Sequence, residues 1–384
     1  MEICIATGTR AEYGLLKPLI EAIKNEPTWS LKLLVTGAHL SPEFGLTYKE
    51  IEQDGLHIDA KVEMLLSSDT AGGIVKSMGI GMIGYADALK NLAPTLLVIL
   101  GDRYEMLALA SAALIFKIPI IHIHGGEITE GAYDDAIRHA ITKMSHLHFT
   151  STEAYRQRVI QLGEQPKYVF NVGAIGLDNI RKIKFLNRLE LEEILNIKFL
   201  KYNYQVTFHP ATLSNVSVAE QFEELLQAIK NQEDSFFVFT KANADTDGRV
   251  INQMIDQYVS LNPNTSVAFS SLGTLKFLSL VKECDAIIGN SSSGIIEAPS
   301  LKTVTINIGD RQKGRIQADS VINCDPNAED ITKAIRLSKA KNESTLMDEL
   351  KNPYGIGQTA SQIVNAIKSV DWNSYILKSF YNLN

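Results

Sequence analysis

The stretch LLVILGDRYEMLALASAALIFKIPIIHIHGGE (residues 96–127) contains two apolar runs, LLVIL and PIIHI, separated by a segment rich in alanine and leucine. Each run is almost continuously apolar, which is typical of a parallel strand covered on both faces. The intervening residues 105–116 have helical character. A strand, a helix and a second strand in this order predict a right-handed crossover in an open parallel sheet.

The same alternation extends in both directions. Further strands are predicted at residues 2–6 and 31–35, and a second set at 204–208, 236–240, 285–289 and 303–307. Helices are predicted at 14–24, 74–92, 358–368 and 372–381. Residues 171–180 contain two glycines and no strong periodicity, so they mark a domain junction. The pattern predicts an α/β protein with two Rossmann-like, doubly wound domains facing a central cleft: residues 1–175, joined by a C-terminal helix at 358–384, and residues 176–357.

The composition excludes several classes of partner. The chain has 384 residues and a net charge of −7, so it lacks the basic field that holds nucleic acid or an anionic membrane. No stretch approaches the roughly 18 apolar residues of a membrane span, and the N-terminus carries no export signal, so a cytoplasmic location is expected. Cys4, Cys284 and Cys324 are predicted to be reduced and buried.

Polar residues follow the predicted strands, at the sheet edge where ligands of open α/β sheets bind. Asp102 follows a buried strand, where a carboxylate is either a helix N-cap or a catalytic group. Glu127 ends the next such segment, and Asp134 lies one helical turn before Arg138. Carboxylates in one cleft raise one another's pKa, which lets a general acid and a general base coexist near neutral pH. His209, at a strand end of the second domain, can contact phosphate or a leaving oxygen.

The motif NSSSG (residues 290–294) follows a buried strand and precedes an apolar helical run. Its small residues allow backbone N–H groups to approach a diphosphate at a helix N-terminus, although a serine N-cap is an alternative. Arg10 and Arg311 follow strands and offer the planar donor fork suited to phosphate oxygens. Glu297 lies one turn beyond Ser293, where it either binds a ribose or stabilises the helix N-terminus.

Two other patterns suggest cofactors and are weaker. GIGMIG (residues 79–84) matches a dinucleotide-binding glycine pattern, but the residues before it are helical rather than the strand that this fingerprint requires. His122 with His124, and His146 with His148, each share a strand face, but the spacing suggests no third metal ligand. We therefore expect neither NAD nor a metal.

Nine motifs, in order and without large gaps, carry a resemblance that runs from residue 1 to roughly residue 340. They are TGTRAEYG (7–14), VTGAHL (35–40), LGDRYE (100–105), HIHGGE (122–127), DDAIRHAITKMSHLH (134–148), HP (209–210), NADT (243–246), GNSSSGIIEAPS (289–300) and INIGDRQKGR (306–315). Together they resemble the hydrolysing UDP-N-acetylglucosamine 2-epimerases of sialic-acid biosynthesis. The resemblance implies a GT-B-like architecture, no cofactor, and a homodimer or homotetramer.

The resemblance also implies the roles of individual residues. The implied UDP contacts are Arg10, His209, Asn243, Ser291, Ser292, Glu297 and Arg311, with Arg103, Arg138, Ser293 and Gly294 as further candidates. The implied catalytic residues are Asp102 and Asp134, with a carboxylate at HIHGGE. In the family reaction the C2 proton is removed and UDP is expelled to give a glycal. Water then adds at C1 and a proton returns to C2 from the opposite face, giving N-acetylmannosamine from UDP-N-acetylglucosamine.

One residue departs from the family pattern, because many relatives have glutamate where this chain has His124. Either His124 takes over a proton-transfer or electrostatic role, or Glu127, three residues on, replaces the glutamate. Two alternative functions keep the same scaffold. The first is a 2-epimerase acting on a UDP-linked 2,4-diacetamido-trideoxyhexose, and the second is a retaining glycosyltransferase. The HIHGGE and SSSGIIEAPS motifs are nearer those of the N-acetylglucosamine group.

Overall fold

The structure is a computed structural model that describes the chain except for residues 67, 69, 131, 211–216, 243–247, 343–346, 348, 373–376 and 384. The chain divides into two compact units. The first unit comprises Met1–Glu127, Asp134–Asn179 and Tyr354–Asn384, and the second comprises Ile128–Tyr133 and Ile180–Pro353.

Each unit is built on one parallel sheet. The seven strands of the first sheet are β1 (Glu2–Thr7), β2 (Ser30–Thr36), β3 (Ala60–Val62), β4 (Leu96–Leu100), β5 (Ile120–Ile123), β6 (Leu147–Thr150) and β7 (Val169–Asn171), in the order β3-β2-β1-β4-β5-β6-β7. The six strands of the second are β8 (Tyr202–Thr207), β9 (Ser235–Thr240), β10 (Ser266–Phe269), β11 (Ala286–Gly289), β12 (Val304–Ile308) and β13 (Val321–Cys324), in the order β10-β9-β8-β11-β12-β13. Both are doubly wound Rossmann-like orders, as predicted.

Helices connect the strands of both sheets. They are α1 (Arg10–Lys24), α2 (Tyr48–Gln53), α3 (Ala71–Leu92), α4 (Tyr104–Ile115), α5 (Asp134–Met144), α6 (Glu153–Gln161), α7 (Leu177–Lys182), α8 (Arg188–Leu195), α9 (Val218–Lys230), α10 (Gly248–Leu261), α11 (Gly273–Glu283), α12 (Ser292–Ile296), α13 (Ala328–Asn342) and α14 (Thr359–Ser369). None of these helices, within the described ranges, is both long and apolar enough to cross a bilayer.

The strands are continuously apolar because each sheet is covered on both faces. In β1, Ile3 and Ile5 face a core cluster shared with α1 and α14, whereas Cys4 and Ala6 face a second cluster shared with α3 and α4. Both faces of the strand therefore require apolar residues.

The C-terminal segment completes the first unit by packing α14 against α1. Helix α14 has no side-chain cap of its own, and Asp178 supplies one. The Asp178 carboxylate accepts hydrogen bonds from the backbone N–H groups of Thr359 and Ala360, both at 2.8 Å.

The eight strands predicted from the sequence are all present, with ends shifted by at most two residues. The prediction missed five short strands, β3, β6, β7, β10 and β13, which have three or four residues each. The predicted helix at 372–381 is wrong for the part that the structure describes, because residues 372 and 377–381 lie outside any helix. The GIGMIG segment lies inside α3, so no strand precedes it.

Candidate active site

The strand order of each sheet reverses at one point, and open α/β sheets bind ligands beyond the strand ends at that point. In the first sheet the reversal lies between β1 and β4, which are followed by the Thr7–Arg10 loop and by Asp102. In the second sheet it lies between β8 and β11, which are followed by His209 and by the NSSSG motif. Four of the predicted polar groups thus occupy the switch points of their own sheets.

Asp102 does not cap the helix that follows it. The N-cap of α4 is Arg103 rather than Asp102, and the Arg103 side chain makes no capping hydrogen bond. Instead, the Asp102 carboxylate accepts a hydrogen bond from the guanidinium of Arg138. The Asp102 side chain remains 23% exposed. The helix-capping interpretation is therefore excluded, and this carboxylate is both held in place and accessible.

Arg138 lies on α5 with only 1% of its side chain exposed. Besides Asp102, its guanidinium donates to the backbone carbonyl of Glu127 at 3.0 Å and lies 3.8 Å from the Asp135 carboxylate. A buried guanidinium requires such partners, because the cost of removing it from water is large. Arg138 therefore joins the ends of β4 and β5 to α5, and its predicted contact with UDP stays a prediction.

His124 follows β5 directly and has a left-handed backbone, with φ of +66°. The backbone N–H of Ile175 donates to its Nε2 at 3.3 Å, so the proton of the neutral ring resides on Nδ1. Nδ1 lies 3.5 Å from Oε1 of Glu127. Each nitrogen of the imidazole therefore has a neighbouring group within the protein, and the predicted catalytic role of His124 stays a prediction.

Glu127 is held by a residue that the sequence analysis missed. The Ser151 hydroxyl donates to Oε1 of Glu127 at 2.7 Å, and both residues are about 1% exposed. Ser151 directly follows β6, so the strand-end rule would have found it had the short strand been predicted. Because the Glu127 side chain is only 2% exposed, it forms a buried layer with His124 and Ser151.

Asp134 is the first residue of α5 and is half-buried. The carboxylate of the next residue, Asp135, lies 3.5 Å from Nε2 of His139, which is four residues further along the same helix. Asp134 therefore begins the helix that carries Arg138 to Asp102. The predicted carboxylates of the first unit thus differ in environment, since Asp102 and Asp134 are accessible and Glu127 is buried.

The loop after β1 is stabilised by a buried carboxylate. Thr9 caps α1, and Glu12 accepts hydrogen bonds from the N–H groups of Gly8 and Thr9 at 2.7 and 3.2 Å. Burial, and then the nearby Glu105 carboxylate, raise the pKa of Glu12 to about 7. Arg103 donates to the buried Glu105 at 2.8 Å.

The predicted UDP contact Arg10 pairs with Glu50 at 2.7 Å and is partly exposed. Among the predicted metal pairs, His122 is fully buried between the Thr142 hydroxyl and the Gly101 carbonyl, and burial lowers its pKa to about 3. In the part of the chain that the structure describes, no three histidine, cysteine, aspartate or glutamate residues are grouped as metal ligands would be.

Asn290 organises the switch point of the second unit. Its side chain accepts from the backbone N–H of His209 at 2.7 Å and donates to the carbonyl of His209 at 2.8 Å. Arg311 and Gln312 both donate to the Asn290 backbone carbonyl, at 3.0 and 2.8 Å. Gly289 has φ of +136°, and a Cβ there would lie 1.9 Å from the Thr207 carbonyl oxygen, so only glycine fits. His209, NSSSG and Arg311 are thus brought together.

The serine-cap interpretation of NSSSG is also correct, since Ser291 is the N-cap of α12 and accepts from the N–H of Ser293 at 3.4 Å. Gly294 packs against Thr305 with no room for a side chain. Glu297 lies at the C-cap of α12, one turn beyond Ser293 as predicted. Asn243, the remaining predicted UDP contact, lies outside the described residues.

Comparison with known proteins gives the family. A profile described as UDP-N-acetylglucosamine 2-epimerase matches residues 21–368. The chain belongs to this family.

Individual members of the family are similar to this chain over almost their whole length. The chain is 44% identical to the GDP/UDP-N,N'-diacetylbacillosamine 2-epimerase (hydrolyzing) of Campylobacter jejuni, covering 100% of this chain and 99% of that protein. It is 39% identical to the polysialic acid biosynthesis protein P7 of Escherichia coli, covering 100% and 97%. A crystal structure of UDP-GlcNAc 2-epimerase from Neisseria meningitidis bound to UDP-GlcNAc superposes with a TM-score of 0.79 at 18% identity, covering 96% and 100%. The predicted GT-B-like fold class is thus confirmed.

Proposed function

We propose that this protein is a hydrolysing 2-epimerase of a UDP-linked 2-acetamido sugar. The C2–H bond and the bond from C1 to the UDP oxygen break, which gives a glycal with a C1–C2 double bond and free UDP. Water then adds its hydroxyl to C1, and a proton is delivered to C2 on the opposite face. The product is the C2-epimerised free sugar. Asp102 carries the proposal, because an accessible carboxylate anchored by a buried arginine supports proton transfer at a fixed position.

We assign proton transfer at C2 to Asp102, whose side chain is accessible, and to Asp134, which is half-buried. Two proton-transfer groups are needed because the proton leaves one face of C2 and returns to the other. Arg138 positions Asp102 and holds the chain at Glu127. The sequence predicted Glu127 and His124 as catalytic candidates, but their burial supports a different role for them, with Ser151, in holding the turn after β5.

We assign nucleotide binding to the second unit. The residues grouped around Asn290 are His209, the NSSSG motif and Arg311, which we call the Asn290 cluster. This cluster places the donors of Arg311 beside the serine hydroxyls, which suits the oxygens of a diphosphate. Stabilising the charge that develops on the departing UDP lowers the barrier to its expulsion. His209 lies in the same cluster, 8% exposed, as a candidate for contact with the leaving oxygen.

Two sugars are candidates for the substrate. The Campylobacter relative, at 44% identity, supports a UDP-linked 2,4-diacetamido-2,4,6-trideoxyhexose, and this is our first choice. The Escherichia coli relative, at 39% identity, is named for polysialic acid biosynthesis. It supports the sialic-acid alternative, in which UDP-N-acetylglucosamine would be the substrate and N-acetylmannosamine the product. The first relative's name also includes GDP, so the nucleotide must be tested too. We propose the cytoplasm as the compartment, because nucleotide sugars are made and used there.

A proton NMR time course in deuterated water tests the proposal. The purified protein is incubated separately with UDP-N,N'-diacetylbacillosamine, its GDP analogue and UDP-N-acetylglucosamine. We expect release of the nucleotide and a free sugar of inverted C2 configuration with deuterium at C2. Release of a sugar with unchanged configuration and no deuterium would contradict a 2-epimerase. A requirement for an added acceptor sugar would indicate a glycosyltransferase instead.

A further inference from the structure

A short segment of the second unit interrupts the first unit. Ile128–Tyr133 are grouped with the second unit, whereas Glu127 before them and Asp134 after them belong to the first. We call these residues the 128–133 segment. Asp134 is one of the two residues to which we assign proton transfer, so the contacts of the 128–133 segment bear directly on the position of that carboxylate.

The two ends of the 128–133 segment differ in how firmly they are held. At the first end, the Glu127 carbonyl accepts a hydrogen bond from the buried Arg138 at 3.0 Å, and the Glu127 carboxylate accepts one from Ser151. At the other end, Asp134 is the first residue of α5. The first N–H groups of a helix have no partner within it, so the first turn depends on the residues that precede it. The position of Asp134 therefore depends on what the 128–133 segment contacts.

Within the second unit, the 128–133 segment packs on the loop that follows β12. The Glu130 N–H donates to the Lys313 carbonyl at 3.4 Å. Gly314, with φ of +83°, lies so close that an added Cβ would be 2.9 Å from Cγ2 of Ile128 and 3.1 Å from Oε1 of Glu130. Glycine adopts this backbone conformation without steric cost and leaves room for the neighbouring chain. The missing side chain at Gly314 therefore allows the segment to lie against the loop.

The same loop carries a predicted nucleotide contact. The Arg311 guanidinium donates to the Asn290 carbonyl at 3.0 Å. The Lys313 N–H closes a turn onto the Asp310 carbonyl at 2.9 Å. Arg311 lies inside this turn, and Gly314 directly follows it. A ligand that fixes the guanidinium therefore also fixes the surface on which the 128–133 segment rests.

We propose that Gly314 and the 128–133 segment couple occupation of the nucleotide site to the position of Asp134. The inference rests on the proposed function, because it takes the Asn290 cluster as the site of UDP. A diphosphate bound there holds Arg311 and, with it, the turn against which the segment packs, and the segment then orders the first turn of α5. Gly314 and Ile128 are therefore positioning residues, which act on the sugar through Asp134. This carboxylate is held in place while the nucleotide is bound and is released when UDP leaves.

Two alanine variants of the full chain separate this role from ordinary backbone strain. Gly314→Ala adds the Cβ that presses on Ile128. Gly309→Ala is the matched control, because Gly309 lies in the same loop with φ of +68°, and a Cβ there would meet nothing closer than Gln221 and Pro326 at 3.9 Å. Since a small misplacement of a reacting group is costly, we expect kcat about tenfold lower in Gly314→Ala than in Gly309→Ala, with the UDP Kd of both within about twofold of wild type.

A double variant shows whether the added Cβ acts through the 128–133 segment. Ile128→Ala combined with Gly314→Ala removes the atom nearest to the new Cβ, so we expect it to recover most of the lost kcat. Equal kcat in the two glycine variants would overturn the proposal. A double variant as slow as Gly314→Ala would also overturn it, because the loss would then not come from pressure on Ile128.

Amide hydrogen exchange measures the coupling itself, without turnover. In wild type and Gly309→Ala, we expect added UDP to slow exchange about fivefold in peptides covering residues 129–138, and in Gly314→Ala we expect no such slowing. Calorimetry on the same samples reports whether UDP binds. Binding of UDP to wild type without slower exchange in residues 129–138 would overturn the coupling and leave the proposed function standing. No binding of UDP to wild type would overturn both.

Discussion

Replacing Arg138 with lysine is expected to slow turnover about 10- to 30-fold while UDP binding stays unchanged. The Arg138 guanidinium contacts both the Asp102 carboxylate and the Glu127 carbonyl. Lysine keeps the charge but has one compact ammonium group, which cannot replace a planar fork at two sites. The variant therefore loses the link between the ends of β4 and β5. Asp102 still has a cation nearby, because lysine keeps the positive charge.

The expected magnitude follows from one lost contact. A hydrogen bond to a charged group contributes about 1.5–3 kcal/mol. Because the Asp102 side chain is 23% exposed, water partly replaces the lost donor, and the lower end of about 1.5–2 kcal/mol applies. At about 1.36 kcal/mol per tenfold change in rate, this corresponds to about 10- to 30-fold in kcat.

Initial rates of UDP release at saturating substrate measure the effect. Arg158→Lys is the matched control, since Arg158 donates to the Gly126 carbonyl in the same turn and makes no described contact with Asp102. UDP affinity is measured by calorimetry on both variants. Equal rates for the two variants would refute the positioning role of Arg138. A tenfold loss of UDP affinity with normal kcat would instead restore Arg138 as a nucleotide contact.

Three further changes have expected outcomes. Asp102→Asn should abolish C2 deuterium exchange with UDP affinity within twofold of wild type, and exchange at the normal rate would remove Asp102 from the mechanism. Ser151→Ala should lower kcat at least tenfold through loss of a charge-assisted bond to a buried carboxylate. Ser145→Ala should not, because the buried Ser145 hydroxyl donates to a backbone carbonyl, and equal effects of the two changes would mean that Ser151 contributes packing alone. Glu12 is protonated more readily in the folded state, so its stabilising contribution is complete below about pH 4.5 and is lost as pH rises through about 7. Relative to Glu12→Gln, the wild-type free energy of unfolding should therefore fall by up to about 3 kcal/mol over this range, and a flat difference in denaturant titrations would contradict the assignment.

The strand ends were predictable because a short, almost continuously apolar run followed by polar residues is typical of a strand covered on both faces. Asp102 was found by that rule, but the sequence could not decide whether it is a helix N-cap or a catalytic group. The N-cap of α4 is the neighbouring Arg103, and the backbone angles that place the cap there are not visible in the sequence. Arg138 was expected to pair with a neighbour on its own helix. Its main contact is with a residue 36 positions earlier, and only tertiary packing determines such a contact.

Short strands limited the rest of the prediction. The β6 strand reads LHFT, and His148 interrupts its apolar run, so the strand and the Ser151 that follows it were both missed. His148 is tolerated there because it bonds to Glu164 at 3.1 Å. The left-handed backbone of His124 was likewise invisible in sequence, because a non-glycine residue adopts it only where the surrounding structure requires it.

The discontinuity of the first unit has a consequence for how the chain is made. Its first sheet is complete in sequence by Asn171, but α14, which covers α1 and is capped by Asp178, begins at Thr359. At synthesis rates of about 5–20 residues per second, the apolar side of α1 stays uncovered on the ribosome for roughly 10 to 40 s. During that interval the second unit emerges and can fold, so the unit that is synthesised first is completed last. Chaperone binding to nascent chains should therefore peak between the synthesis of Asn171 and that of Thr359.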